Sequence, residues 1–476
     1  MIQSYIRTSI RNLKRNPLIS VINLFGLSLG LTSCLVAGLY IKHELTANSF
    51  HKDLHSIYRV TASIHGGFNI NGTPYRFAEA SEKDIPGVTA SLRLFSEGES
   101  SVKINTQIFK HHNIVYADPA FFSFFTFPLK FGNAKQALAG LKQVVLSDEI
   151  SKKYFGDQNP QGQTIQILLN DEYVDLEVTG VALPPPTYSS IQFDFLIPLE
   201  NRFLRDPKSK DIWSSFFLTT FLKIDPEKLA SVKEAFPALV RTYLRDEKKA
   251  DGTPAMSFVL NPLADHHLSE GFSGSGIKEG TSAKLLYVFA GIAAIILVLA
   301  CFNFMNLTNA QSSRRAVEVG IRKVVGAMKA QLIRQFLMEA IFLSILAAVL
   351  ALGLAELSLL IFRDLLEVQL TVFNLEHLDV YAGLAVVTLF AGIMAGVYPA
   401  LILSNLSVLN TFKRYFRIGG GNFVTRSVLT IQFGLSIMLI VCAIVMWKQQ
   451  IYMINKDLGF NKEQVLVIPF ANRDTA

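Results

Sequence analysis

Three groups of side chains in this 476-residue chain are of a type and spacing that could do chemistry. The first is basic: Arg314, Arg315, Arg322, Lys323, Lys329 and Arg334 lie close together, and Glu318 is the only acid among them before Glu339. Such a cluster grips an anionic surface or a charged protein, or holds a loop on one side of a membrane. The second is imidazole. His51 and His55 are spaced i,i+4 and His266-His267 are adjacent, so metal ligation is conceivable, although Asp53 would point away. Zinc needs three or four converging donors, and these histidines read instead as polar side chains facing water. The third is polar groups inside apolar runs. Asn303, Asn306 and Asn309 read as hydrogen-bonding between helices. Glu356, two turns from Arg363, reads as snorkelling or pairing near a membrane surface.

Catalysis by the chain itself finds no support. Cys34, Cys301 and Cys442 all sit in apolar runs, with neither a disulfide framework nor metal spacing, and read as small apolar residues. No Ser/His/Asp or Cys/His arrangement stands out. The phosphate-cradling pattern G-x-x-x-x-G-K-[ST] does not occur; Gly271 to Gly280 has glycines without the Lys-Ser/Thr. No metal or cofactor is expected here, and any ATP and magnesium would be held by another polypeptide.

The elements that must position these residues are mostly membrane-length. Half of the residues are hydrophobic and the formal net charge is +7. The basic residues gather beside apolar runs, which argues for membrane topology and against nucleic acid. A basic amphipathic segment, 1–17, precedes an uncharged run, 18–41, too long for a signal peptide and long enough to span a bilayer. Further spans are read at 285–307, 340–362, 380–403 and 427–447. Segments 308–339 and 404–426 carry the basic clusters and are placed inside the cell. The loop from Arg363 to Asp379 has one Arg against four acids and is placed outside, as is 42–284. Trp447 sits at an interface.

Segment 42–284 has the composition of a soluble α+β domain. Val144-Val145-Leu146, Thr164 to Leu168 and Val174 to Val181 read as strands; Glu149 to Phe155 and Val232 to Leu244 read as helices, the latter kinked or restarted at Pro237. Pro184-Pro185-Pro186 is a loop. Phe121, Phe122, Phe124, Phe125 and Phe127 read as core. Glu270 to Gly280, rich in Gly and Ser, reads as a flexible return to the membrane. Arg414 to Asp457 repeats the layout of Arg7 to Glu44, and 448–476 reads as the opening of a second outside domain. The expected architecture is therefore a transmembrane helix bundle, four spans of one half plus the first of another, with a large α+β domain between spans 1 and 2.

Segment 308–339 carries further local logic. Arg314–Glu318 and Glu318–Arg322 are i,i+4 pairs, Val317, Ile321 and Val324 form an apolar stripe, and Gly326-Ala327 permits a turn. The stretch Glu318-Val319-Gly320-Ile321-Arg322-Lys323-Val324-Val325-Gly326-Ala327, with Ala300 to Thr308 before it and Gln335 to Glu339 after it, resembles the MacB/FtsX-type ABC permease family. Ala117-Asp118-Pro119-Ala120-Phe121-Phe122, Lys153-Tyr154-Phe155-Gly156 and Phe193-Asp194-Phe195 resemble pieces of that family's periplasmic core domain. The resemblance implies a mechanotransmission permease in the bacterial inner membrane, driven by a separate pair of cytoplasmic ATPase subunits. In it Arg314, Arg315, Glu318, Gly320, Ile321, Arg322, Lys323, Gly326 and Ala327 would couple to the ATPase. A permease dimer or a two-half chain, membrane lipid, and a periplasmic adaptor or client are the further partners implied. Efflux of antimicrobial peptides, macrolides or other toxic compounds is the leading role. Lipoprotein release, a scaffold regulating a cell-wall hydrolase, and an ATPase-free membrane sensor are the rivals.

Overall fold

The computed structural model describes residues 10–11, 14–15, 17–64, 68–96, 98, 100–104, 107–111, 113–169, 172–244, 256–268, 275–278, 280–310, 312–366, 370–373, 378–404 and 423–456. The sequence-predicted segments 404–426 and 448–476, and the N-terminal 1–17, lie largely outside them. The chain divides into two compact units, one holding the apolar helices and one built from residues 43–283.

The helical unit follows from its apolar runs, since a helix satisfies every backbone donor and acceptor from within. Five helices among the described residues are long and apolar enough to cross a membrane. They are α1 (Pro17–Leu45), and, numbered after the domain's own helices, α6 (Ala283–Ala310), α8 (Lys329–Leu366), α9 (Leu378–Ser404) and α10 (Phe423–Asn455). Each outruns its uncharged stretch, because polar flanks continue the helix past the apolar segment. The basic segment forms a helix of its own, α7 (Ser312–Val324). Leu27, Leu31, Leu297, Phe304, Ala347 and Ala395 share one buried core.

α8 and α9 approach most closely. Ala340, Ala347, Ala351 and Ala355 recur every four or seven residues along α8 and are all but fully buried, as are Ala391 and Ala395 of α9. A Cβ at Gly392 would stand 2.9 Å from the Ile341 Cα, and one at Gly396 would stand 2.7 Å from the Ala340 Cβ. Small residues are what allow backbones this near in a lipid-facing pair.

The second unit is a large mixed sheet with helices and loops packed on it. Among the described residues it has thirteen strands, in the order β13-β1-β12-β3-β6-β11-β8-β10-β9-β4-β5, with β2 on β1 and β7 on β10. These are β1 (Ile57–Ile64), β2 (Phe68–Ile70), β3 (Val88–Ser96), β4 (Ser100–Ile104), β5 (Gln107–His111), β6 (Ile114–Ala117), β7 (Leu129–Phe131), β8 (Gln143–Ser147), β9 (Thr164–Leu169), β10 (Glu172–Ala182), β11 (Phe195–Pro198), β12 (Thr219–Ile224) and β13 (Met256–Pro262). Pairing is antiparallel except for β6 with β11 and β8 with β10. Between the strands lie α2 (Phe77–Asp84), α3 (Phe121–Phe124), α4 (Asp148–Phe155) and α5 (Leu229–Tyr243). Pro237 lies within α5, which continues through it. The five phenylalanines of 121–127 are buried together with Phe193 and Phe221 in one aromatic core.

Two sequence expectations are corrected here. Ser275 to Lys278 is not a free strap. The Ser275 hydroxyl donates to Ser96 O at 2.8 Å, Thr219 Oγ1 donates to Ser275 O at 2.9 Å, Lys278 N donates to Ser190 O at 2.8 Å, and Ile277 is buried. Glycine and serine here supply turn geometry, with Gly276 at φ +79°, and hydrogen bonds to β3, rather than slack. His51 is also no surface residue. It is 3% exposed, packs among Phe50, Phe125 and Phe127, and its Nδ1 accepts from Thr126 N at 3.1 Å. His55 is exposed and shares no helical face with it. His266 and His267 are buried too, at 1% and 5% exposure.

The two ends of this unit meet in a buried polar cluster. His267 Nε2 lies 3.0 Å from Glu44 Oε2, and Thr281 also hydrogen-bonds the Glu44 carboxylate. Asn48, in the left-handed region at φ 61°, donates from Nδ2 to Ser190 Oγ at 2.8 Å and accepts from Ser190 N at 2.8 Å. Gly280 lies so near His267 that a Cβ would fall 2.2 Å from its carbonyl oxygen.

Candidate functional site

Of the residues singled out in the sequence, Glu318, Gly320, Ile321, Arg322, Lys323, Gly326 and Ala327 lie at the junction of α7, α8 and α9. α7 ends because Gly326 takes φ +98°, with Gly326 N donating to Lys323 O at 3.0 Å and Ala327 N to Arg322 O at 2.9 Å. That is the glycine-terminated helix end in which two orphan carbonyls are satisfied at once. α8 begins at once: the Gln331 side chain reaches back to accept from Met328 N at 3.0 Å, one half of a capping box. The result is a tight helix–turn–helix.

One face of α7 is held against the helices. Val319 is 1% exposed and packs with Leu332, Phe336 and Ala400, and Gly320 is buried beside it. Arg322 bonds to Gln335 Oε1, and its other terminal nitrogen lies 2.7 Å from Glu318 Oε1. Lys323 Nζ donates to the Ser404 carbonyl at 2.7 Å. Ser404 is the last residue of α9, where carbonyls lack helical partners and the helix dipole favours a cation.

The opposite face is turned outward. Of the apolar stripe, the two side chains among the described residues point away from the core. Ile321 is 53% exposed and Val324 64%, and beyond them Val325 and Met328 are 84% and 70% exposed. Successive helical residues turn by about 100°, so Val319 and Lys323 share one side while Ile321 and Val324 lie on the other. The side chains of Arg314, Arg315 and Val317 lie outside the described residues. The contacts of Gln335, Ser404 and Val319 were missed in the sequence because they exist only once the turn at Gly326 folds α7 back toward α8.

The polar groups within the long helices are placed separately from this junction. Asn306 Nδ2 donates to Gln432 Oε1 on α10 at 2.9 Å, while its Oδ1 and both amide atoms of Asn309 are buried without hydrogen-bond partners among the described residues. Asn303 lies against α1, its Nδ2 3.5 Å from where a Gly26 Cβ would stand. Glu356 accepts from the backbone N of Val372 at 2.7 Å, so it caps the loop that follows α8. Among the described residues no three His, Cys, Asp or Glu side chains are placed to hold a metal.

A family model described as the MacB-like periplasmic core domain matches residues 20–239, and one described as the FtsX-like permease C-terminal matches 290–413. The chain is 24% identical over 272 residues to the macrolide export ATP-binding/permease protein MacB of Bdellovibrio bacteriovorus, covering 56% of this chain. It is 26% identical over 260 residues to the pyoverdine export ATP-binding/permease protein PvdT of Pseudomonas syringae, covering 54%. The chain spans 38% and 35% of the length of these two relatives. Among solved structures it is similar to the periplasmic region of MacB from Actinobacillus actinomycetemcomitans, at 15% identity and TM-score 0.30, covering 43% of this chain and 88% of that one. It is also similar to the extracellular domain of the ABC-type transporter YknZ from Gram-positive bacteria, at 11% identity and TM-score 0.32, covering 43% and 99%.

Proposed function

This chain belongs to the MacB/FtsX-type ABC permease family, and from that premise we propose that α7 is the surface on which a separate cytoplasmic ATPase pushes. The observation that carries this is the outward apolar surface of Ile321 and Val324 on α7, continued by Val325 and Met328 in the turn after it, on a helix whose other face is fixed. A face of that kind is unstable in water and needs a partner. The charge bias of the flanking segments supports a placement of the N-terminus and α7 inside the cell and of residues 43–283 in the periplasm. In this reading ATP and magnesium are held by the ATPase and not by residues 1–476, in which the phosphate-cradling pattern does not occur. A dimer, or a longer chain carrying a second half, would present two such surfaces to an ATPase pair.

The work done is mechanical. ATPase closure displaces α7, the helices carry that displacement across the bilayer, and the periplasmic domain acts on a client or adaptor. Efflux of macrolides, antimicrobial peptides or other toxic compounds is the reading favoured, because the relatives are named for macrolide and pyoverdine export.

The test is co-purification of the cognate ATPase with full-length chain carrying Ile321→Glu and Val325→Glu. Each apolar side chain contributes roughly 1.5–3 kcal/mol when buried, so removing two predicts at least about a hundredfold loss of binding. Membrane levels should hold, since neither side chain packs on the protein. Undiminished ATPase recovery from the double variant would refute the proposal.

A further inference from the structure

We propose that Lys323 and Arg322 are positioning residues that clamp α7 to α8 and α9, so that the three helices move as one rigid lever and the stroke enters through the third and fourth apolar helices. The inference rests on the reading of α7 as the ATPase-facing surface. The sequence alone casts these two residues as direct contacts to the ATPase. Their side chains are instead engaged within the helical unit: Lys323 Nζ on the last carbonyl of α9, Arg322 on Glu318 and on Gln335 of α8. Val319 adds an apolar peg between them, seated among Leu332, Phe336 and Ala400.

The clamp therefore has one point on α8 and one on α9, and those helices are themselves joined along their length. At Gly392 and Gly396 there is no room between them for a methyl group, and both helices present alanines to the seam on either side. Interiors packed this closely transmit displacement rather than absorb it. The turn between α7 and α8 is short and doubly hydrogen-bonded, which removes the remaining slack. An axial or lateral push on Ile321 and Val325 is thus delivered both to the start of α8 and to the end of α9. Beside the Val319–Ala400 contact, Lys323 makes the polar half of the second connection, and because it reaches a backbone carbonyl, any long cation there can make it.

The experiment compares Lys323→Met and Lys323→Arg in the full chain reconstituted with its ATPase. Lys323→Met is expected to retain ATPase co-purification within twofold while losing at least tenfold in the stimulation of ATP hydrolysis. Lys323→Arg is expected to restore at least half of it. A parallel fall in co-purification and stimulation in Lys323→Met would make Lys323 a direct contact and overturn the clamp, as would unchanged stimulation. A second measurement separates this from failure of the ATPase reading. Spin labels at positions 321 and 401, in a chain freed of its three cysteines, need no ATPase. Their distance distribution should be narrow in the parent and in Lys323→Arg, and broaden in Lys323→Met. An unchanged distribution would refute the lever even where no ATPase binds.

Discussion

Gly392→Ala should destabilise the helical unit, although alanine is the better helix former. Replacing glycine by alanine within an exposed helix stabilises it by about 1 kcal/mol. At Gly392 the new methyl carbon would stand 2.6 Å from Ser344 Oγ, 2.9 Å from the Ile341 Cα and 3.1 Å from the Ile341 Cγ1. The hydroxyl can rotate away, but the Cα belongs to backbone. Normal carbon contact needs about 3.5–4.0 Å, so α8 and α9 must part by on the order of 0.5–1 Å. Overpacking of that kind costs about 1–3 kcal/mol, enough to cancel the propensity gain and leave a net loss of up to about 2 kcal/mol. Gly383 on the same helix is the control, because nothing lies within 4 Å of its Cβ position. The assay is thermal unfolding of full-length protein in detergent, and the expected order of stability is Gly383→Ala, then the parent, then Gly392→Ala. If Gly392→Ala proves as stable as Gly383→Ala, the seam is looser than described and the rigid-lever argument loses its basis.

Acid should destabilise the domain of residues 43–283 well above the carboxylate range. Burial, aided by Lys223, holds His51 down at about 4, and burial, aided by Arg59 and His267, holds His266 down at about 3, against 6.5 for each when free. Both are neutral in the fold, so the unfolded chain takes up protons first as pH falls. Stability is full above about pH 6.5 and drains away below it, by on the order of 2–3 kcal/mol for each histidine by pH 4.5. Trp213 fluorescence in a Trp447→Phe background reads the transition, and a midpoint equal at pH 7.5 and 4.5 would refute the burial argument. Glu356→Leu removes the acceptor for a buried backbone donor and should cost about 1–3 kcal/mol, whereas Glu356→Gln keeps a carbonyl oxygen and should cost far less. Equal losses in thermal unfolding would show that the carboxylate acts through its charge instead.

The spans and principal strands were legible because each depends on a local pattern, an uncharged run or an alternation, that survives any tertiary arrangement. The helix–turn–helix at 312–339 was legible for the same reason, its glycine lying where a helix must stop. What the pattern could not carry was direction. Val317, Ile321 and Val324 share a face in any helix, but only the fold-back at Gly326 decides that Val319 is the residue that packs. The Lys323 contact with Ser404 spans 81 residues of sequence, and its acceptor is a backbone carbonyl that no side-chain pattern announces. His51 was misread because a histidine among polar neighbours looks solvated until Phe125 and Phe127 close over it. Ser275 to Lys278 was misread because composition measures intrinsic slack and takes no account of the hydrogen bonds waiting on β3.

The meeting of the domain's two ends at His267 bears on how an insertion of this size is tolerated at all. Between α1 and α6 the chain leaves for some 240 residues. A free tether of that length would impose a loop-closure entropy roughly 3 kcal/mol worse than a ten-residue hairpin, at about 0.6 kcal/mol per doubling. The folded domain cancels that penalty by fastening Glu44, just inside its start, and Thr281, just inside its end, into one cluster. From the standpoint of the two helices, the domain is a short hairpin that happens to carry a large passenger. A passenger closed on itself in this way can grow, shrink or exchange its outer strands over evolutionary time without altering how the helices it interrupts find each other.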